Sequence, residues 1–232
     1  MKINRTIMVS LALLSGFAGS LYAANSQGTF TVKAGLASVH TEHKSGLIKH
    51  SVLGPVAGTK AYATNASNLG VTFTYIVRDH VGVELLAALP FKHDIRAKNL
   101  LGANSNVKVG SAKQLPPTLS LQYYLANPEY FLQPYVGVGV NYTFFFSEDT
   151  SSAMKNSALG FRDLSLSSSW GLSAQAGVNL NLNDKWMLNA SVWKVDIDTK
   201  AKFSKTTSGA TAKVNVDIDP MVYMVGVGYN FV

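Results

Sequence analysis

The stretch from Tyr223 to Phe231 puts Tyr223, Val225, Val227, Tyr229 and Phe231 on one side of an extended chain and Met224, Gly226, Gly228 and Asn230 on the other, because strand side chains alternate with period two. Large apolar and aromatic residues cover one face; small and polar ones cover the opposite face. A soluble sheet with one wet face could carry a single strand like this. Here the pattern recurs on strand after strand, with aromatic residues near the strand ends, behind an export signal. That combination is what the wall of an outer-membrane barrel requires.

Residues 1–23 read as a secretory signal peptide: Lys2 and Arg5 open a basic start, Ile7 to Leu21 is apolar, and Leu21-Tyr22-Ala23 supplies a small residue at the cleavage point. An uncleaved anchor helix is the alternative, but the stretch is short and broken by Ser15, Gly16, Gly19 and Ser20. Residues 24–232 form the barrel domain. No other apolar run is long enough to cross a bilayer as a helix, yet 47% of residues are hydrophobic and only 14% charged. Hydrophobicity dispersed in alternation suits membrane strands.

With no cysteine, the chain has neither disulfides nor a thiolate metal site. Its 5 histidines form no close-spaced pair on one element, so no metal and no cofactor is expected. The pI of about 9.5 raises nucleic acid as a partner. However, Lys44, Lys49, Lys60, Lys98, Lys108, Lys113, Lys202, Lys205 and Lys213 fall in Gly/Ser/Ala-rich loops and form no basic stripe. Outer-membrane lipid and lipopolysaccharide fit such charges better, and nucleic acid is rejected.

Eight half-polar strands are predicted, over 30–39, 69–76, 81–96, 118–125, 133–146, 164–182, 186–199 and 223–231. Arg78-Asp79-His80, Ala126 to Tyr130 and Asn183-Asp184 are short connections; about 40–66, 97–114, 147–162 and 200–213 are long. Long and short alternate throughout, as an all-β, eight-stranded antiparallel up-and-down transmembrane β-barrel with both ends in the periplasm demands. A soluble lipocalin-like barrel shares the strand count. It would put the apolar face inside, whereas here the other face carries the glycines, serines and threonines of a narrow filled lumen. Tyr75, Tyr123, Tyr142, Trp170, Trp186 and Tyr229 fit interfacial girdles. Lys33, Glu84, Gln122, Asn141 and Gln175 fall on the lumen face, and a charged pair there reads first as a structural plug. Pro116-Pro117 reads as a rigid start to the fourth strand, whose missing ladder donors could also weaken the wall. Asp219-Pro220 reads as a bulge where apolar parity changes.

Several stretches resemble the outer membrane protein W (OmpW) family: Leu69 to Tyr75, Val81 to Phe91, Leu115 to Leu119, Pro134 to Thr143, Asp163 to Leu166, Ser169 to Gly171 and Ser191 to Thr199. The family commonly ends on Phe, whereas Val232 follows Phe231 here. The resemblance implies a monomeric barrel in the Gram-negative outer membrane with a narrow hydrophobic pocket, through which small hydrophobic molecules pass and leave sideways into the membrane. It also implies the alternative of a structural surface antigen, a bacteriocin or phage receptor without transport. The family's pocket floor, a Leu and a Trp, maps onto Leu86 and Trp193. Both fall on the lumen face by alternation alone, where plain lumen filling is the competing reading.

Some eight-stranded outer-membrane barrels are lipid-modifying enzymes. His93 with Asp94, and Ser165 or Ser167, could be arranged into a hydrolytic triad, but neither serine sits in a strained turn, and no catalytic residue is assigned.

Overall fold

The computed structural model describes residues 26–41, 44–52, 54–100, 102, 104–157, 160–204 and 209–231. The signal segment 1–23, His43, Lys205 and Val232 lie outside the described residues. The wall consists of β1 (Phe30–His40), β2 (Ala66–Arg78), β3 (Val81–Ala88), β4 (Thr118–Tyr124), β5 (Leu132–Thr150), β6 (Ser169–Asn181), β7 (Trp186–Val195) and β8 (Met221–Phe231). Each pairs antiparallel with its neighbours in sequence, and β8 returns to β1 from Phe30↔Phe231 to His40↔Met221. Closure removes the sheet edges that a membrane does not tolerate.

The seam is tight at Gly35, which faces Gly226. A Cβ on Gly226 would lie 2.2 Å from Ala34 O, so only glycine allows the two backbones to approach this closely.

Within the membrane span the alternation holds on every strand. Val138, Leu172, Val225 and Leu36 point outward, 65–76% exposed as Val138 65%, Leu172 69%, Val225 67% and Leu36 76%. Aromatic side chains gather at both ends: Trp186 against Tyr229 (centroids 4.9 Å) beside the short turns, and Tyr142 against Trp170 (4.6 Å) at the outer rim.

The segments expected as long loops carry strands as well, and the predicted strands 81–96 and 164–182 each break in two, at Leu89-Pro90 and Ser167-Ser168, so that their outer parts join sheets above the wall. Lys60–Ala63, Phe91–Lys98, Asn106–Leu115 and the outer part of β5 form one sheet above the wall. Asp163–Leu166, Asp198–Ser204, Ala212–Asp217, Lys44–Ser45, Lys49–His50 and Gly54–Pro55 form a second. The two enclose a common apolar interior that includes Ala61, Ile95, Val109, Phe203 and Val214. Above the bilayer the polarity rule reverses: water lies outside, so apolar residues turn in and lysines turn out.

That reversal explains two departures from the sequence reading. No bulge occurs at Asp219-Pro220. Lys194↔Met221 and Asp198↔Asp217 belong to one continuous register, and Val214, Val216, Ile218, Val222 and Met224 are all buried. The apolar residues change face because the solvent outside changes from lipid to water, while the strand keeps its phase. The lysines are also ordered on strands: Lys213 pairs across with Lys202 on one side and Lys49 on the other, and Lys60 with Lys98.

A real offset lies in the wall elsewhere. Between Leu86↔Thr118 and Phe91↔Gln114 the chain following β3 spends one residue more than the chain preceding β4. The interval holds Pro90, Pro116 and Pro117, none of which can donate to a ladder. On the other side of the same prolines the wall stays shut: β4 and β5 keep one register from Thr118↔Asn141 to Phe144↔Leu115. There the Asn141 side chain donates from Nδ2 to Pro116 O (3.2 Å), Pro117 O (3.1 Å) and Thr118 Oγ1 (2.8 Å).

Candidate functional site

Inside the span, a polar plug fills the lumen. Lys33 from β1 reaches Glu84 from β3, with Nζ to Oε2 at 2.7 Å and both side chains 1% exposed. Glu84 also accepts from Thr74 Oγ1 (2.9 Å) and Gln175 Nε2 (2.7 Å). A buried carboxylate requires this much satisfaction. The Lys33 ammonium lies 5.1 Å from the centre of the Tyr135 ring, a cation–π contact. Tyr135 in turn accepts from Asn189 Nδ2 (3.0 Å), and Tyr124 donates to Gln122 Oε1 (2.9 Å). Gly177 makes room for Tyr135, since a Cβ there would come within 2.4 Å of the ring. Lys33, Glu84, Gln122, Asn141 and Gln175, all expected to face the lumen, are buried there. Asn141 stands apart from the plug, since its role is to patch the proline segment.

Above the plug the interior becomes apolar. Leu86 (5% exposed) and Trp193 (1%) belong to one buried cluster with Ala37, Val195, Val222 and Met224, and that cluster continues upward to Ile48, Met154 and Phe161. Three cavities string along this column. The lowest, about 10 Å³, touches Leu86, Ala88, Phe91, Gln114 and Pro116, beside the offset in the β3–β4 ladder. The middle one, about 30 Å³, is lined by His93, Gln114, Phe145 and Ile218, among others. The uppermost, about 100 Å³, lies between the outer sheets, lined by Ile95, Met154, Phe161 and Phe203. A column of apolar side chains with three separate cavities thus descends from the outer sheets towards the ion pair.

The OmpW family profile matches residues 26–231. The chain belongs to the OmpW family. It is similar to outer membrane protein W of Escherichia coli (strain K12), 38% identical over 228 residues, covering 98% of this chain and 100% of that protein. The crystal structure of the outer membrane protein OprG from Pseudomonas aeruginosa superposes with a TM-score of 0.84 at 43% identity, covering 90% of this chain and 99% of that one. The solid-state NMR structure of outer membrane protein AlkL in lipid bilayers shares the fold, with a TM-score of 0.67 at 22% identity over 100% of this chain and 97% of that one. The chain is an outer-membrane β-barrel, as are these relatives.

In this OmpW-family barrel the residues weighed for a hydrolytic triad do not meet. Asp94 pairs with Lys108 on the outer face (2.6 Å), while His93 points inward with Nδ1 held by Thr64 O. Ser167 is engaged at the rim, where its Oγ accepts from Lys200 N (2.9 Å). Burial lowers the His93 imidazole below its ordinary value, so it is neutral at pH 7.

Asp196, Asp198 and Asp219 bring carboxylate oxygens within 4.8 Å of one another at the outer rim. Loss of hydration first, and a neighbouring carboxylate second (Asp219 beside Asp196, Asp217 beside Asp198), raise both above the ordinary aspartate value. Among the described residues, these three are the ones that could approach a cation. Lys194 Nζ offsets part of the charge by donating to Asp219 O at 2.6 Å.

His93 and Gln114 were not singled out as binding residues from sequence. The signal was present: Phe91, His93, Ile95 and Ala97 alternate with Lys92, Asp94, Arg96 and Lys98, which puts a histidine on an apolar face.

Proposed function

We propose that the barrel passes small hydrophobic molecules from the outside into the outer membrane. Cargo enters between the outer sheets, descends the apolar column, halts above Leu86 and Trp193, and leaves sideways between β3 and β4. The observation that carries this reading is the coincidence at one height of three features: the end of the apolar column, the buried Lys33–Glu84 plug, and the proline-lined offset of the ladder. With the axial route filled by charged and hydrogen-bonded side chains, the wall offers the path that does not desolvate a plug. A relative of this chain is named as a dibenzothiophene metabolism operon protein, and dibenzothiophene is an apolar aromatic compound, which agrees with greasy cargo. Affinity should be weak and broad, because apolar burial of about 25 cal/mol per Å² is set against ordering costs.

The test compares toluene uptake by cells carrying the intact protein, a Leu86→Ala/Trp193→Ala form, a Pro116→Val/Pro117→Val form, and no protein. Uptake should be fastest with the intact protein, altered by widening the floor, and slowed when the added ladder donors close the gap. Equal uptake with and without the protein would overturn the reading.

A further inference from the structure

Three buried polar atoms along the column have no partner among the described residues: Nε1 of Trp193 at its foot and, higher up, Nε2 of His93 and Nε2 of Gln114. The last two are the ones that share a cavity, of about 30 Å³, and their residues are 4% and 1% exposed. They come from paired strands, with Phe91 opposite Gln114 and His93 opposite Ala112. An orphaned buried polar group costs free energy comparable to a lost hydrogen bond, and two of them on one small cavity are placed for a single ligand to answer both.

Their chemistry is complementary. His93 Nδ1 faces the Thr64 carbonyl oxygen, which can only accept, so Nδ1 carries the proton and the neutral ring presents Nε2 as an acceptor. Gln114 Nε2 is a donor. A hydroxyl group satisfies both at once: its O–H donates to His93 and its lone pair accepts from Gln114. A carbonyl or ether oxygen would satisfy Gln114 alone, and a hydrocarbon neither.

We propose that this cavity is a recognition site for apolar molecules bearing a single hydroxyl, small phenols or alcohols, with the hydroxyl seated between His93 and Gln114. The inference rests on the passage reading above for the origin of its ligand. The space fits the division of labour. A cavity of about 30 Å³ holds a hydroxyl but no ring, while the neighbouring cavity of about 100 Å³ shares Ile95 with it and is lined almost wholly by carbon. An aromatic ring of benzene size fills a cavity of about 150 Å³, so the two together approach what a phenol needs after a small separation of the outer sheets. The same two atoms make a hydroxylated compound bind more tightly than its hydrocarbon analogue, which leaves them unpaired but is still held by the apolar lining and still passes.

Phenol and toluene are near-isosteric probes that differ in the hydroxyl. Binding of each is measured to the purified chain in lipid nanodiscs, corrected with empty nanodiscs, and the Nε2 resonance of His93, assigned with His93→Gln, is followed by ¹⁵N NMR. Phenol should shift that resonance and toluene should not. Gln114→Leu should lower the phenol-to-toluene binding ratio about tenfold. An unchanged ratio in Gln114→Leu overturns the proposal. So does a His93 resonance that already reports a hydrogen bond and does not respond to saturating phenol, which would assign the pair to an ordered water. Absence of protein-dependent toluene uptake in cells, with phenol still held by His93, would sink the passage reading and leave this site standing.

Discussion

Glu84 lies 2.7 Å from Lys33 in the middle of the barrel, with each side chain 1% exposed, and two further donors close around the carboxylate. The pair closes the lumen, and its energetics are asymmetric. Removing one partner strands a buried charge at a cost of about 3–5 kcal/mol, whereas exchanging both for apolar residues of similar volume is near neutral. Glu84→Leu or Lys33→Met alone should therefore destabilise the barrel strongly, and Lys33→Met/Glu84→Leu much less than their sum. Urea unfolding in lipid vesicles reads this coupling. Additive effects would mean that the two charges are satisfied independently.

On the lipid face, Val138 is 65% exposed on β5. Val138→Arg should destabilise by about 2–4 kcal/mol if it sits near the midplane. Gly226→Ala should act through the seam instead. Its Cβ would meet Ala34 O at 2.2 Å and Gly35 Cα at 2.7 Å, both backbone atoms, so the strands must part, at a cost of about 1–3 kcal/mol. Thickening the bilayer should change the first penalty and leave the second alone. The measurement is unfolding in vesicles of two chain lengths.

Lys213 sits between Lys202 and Lys49 on exposed strands. Like charges directly opposite each other destabilise a sheet, so Lys213→Glu should raise the unfolding midpoint in zwitterionic lipid at low salt. The gain should shrink as salt screens the charges. A lower midpoint would show that the row is stabilised by contacts other than these pairs.

Acid should loosen the outer sheets through His93. Burial lowers its folded value below the ordinary 6.5. Between those two values the unfolded chain binds more protons than the folded one, so stability is fully present above pH 6.5 and falls as pH drops through that window. Protease nicking of the outer sheets should accelerate from pH 7 to pH 5.5 in the natural chain and stay flat in His93→Gln. Equal acceleration in both would assign the effect to other groups.

The faces of the wall strands were legible because water-free lipid and a packed lumen impose opposite demands, and Val136, Val138 and Val140 against Gly137, Gly139 and Asn141 record both. The outer sheets were legible only in part, where the predicted strands 81–96 and 164–182 ran on into Phe91–Lys98 and Asp163–Leu166. Lys60-Ala61-Tyr62-Ala63 and Ala212-Lys213-Val214-Asn215 alternate too, but with small residues inside and lysines outside they have the composition of loops. Leu86 and Trp193 could be placed on the inner face by parity. Which inward residues meet one another could not, since His93 and Gln114 come together through pairing of distant strands.

The unbroken register from Ala212 to Phe231 works as a reading frame. Odd or even position decides which side of the wall a residue occupies, and the demand on each side is swapped near Asp219-Pro220. One inserted residue there would leave both halves internally sound yet out of phase, turning either Val214 and Val216 to water or Tyr223 and Val225 to the lumen. Two inserted residues would preserve the phase. The height of the outer sheets above the bilayer can therefore be edited only in even steps, each of about 7 Å.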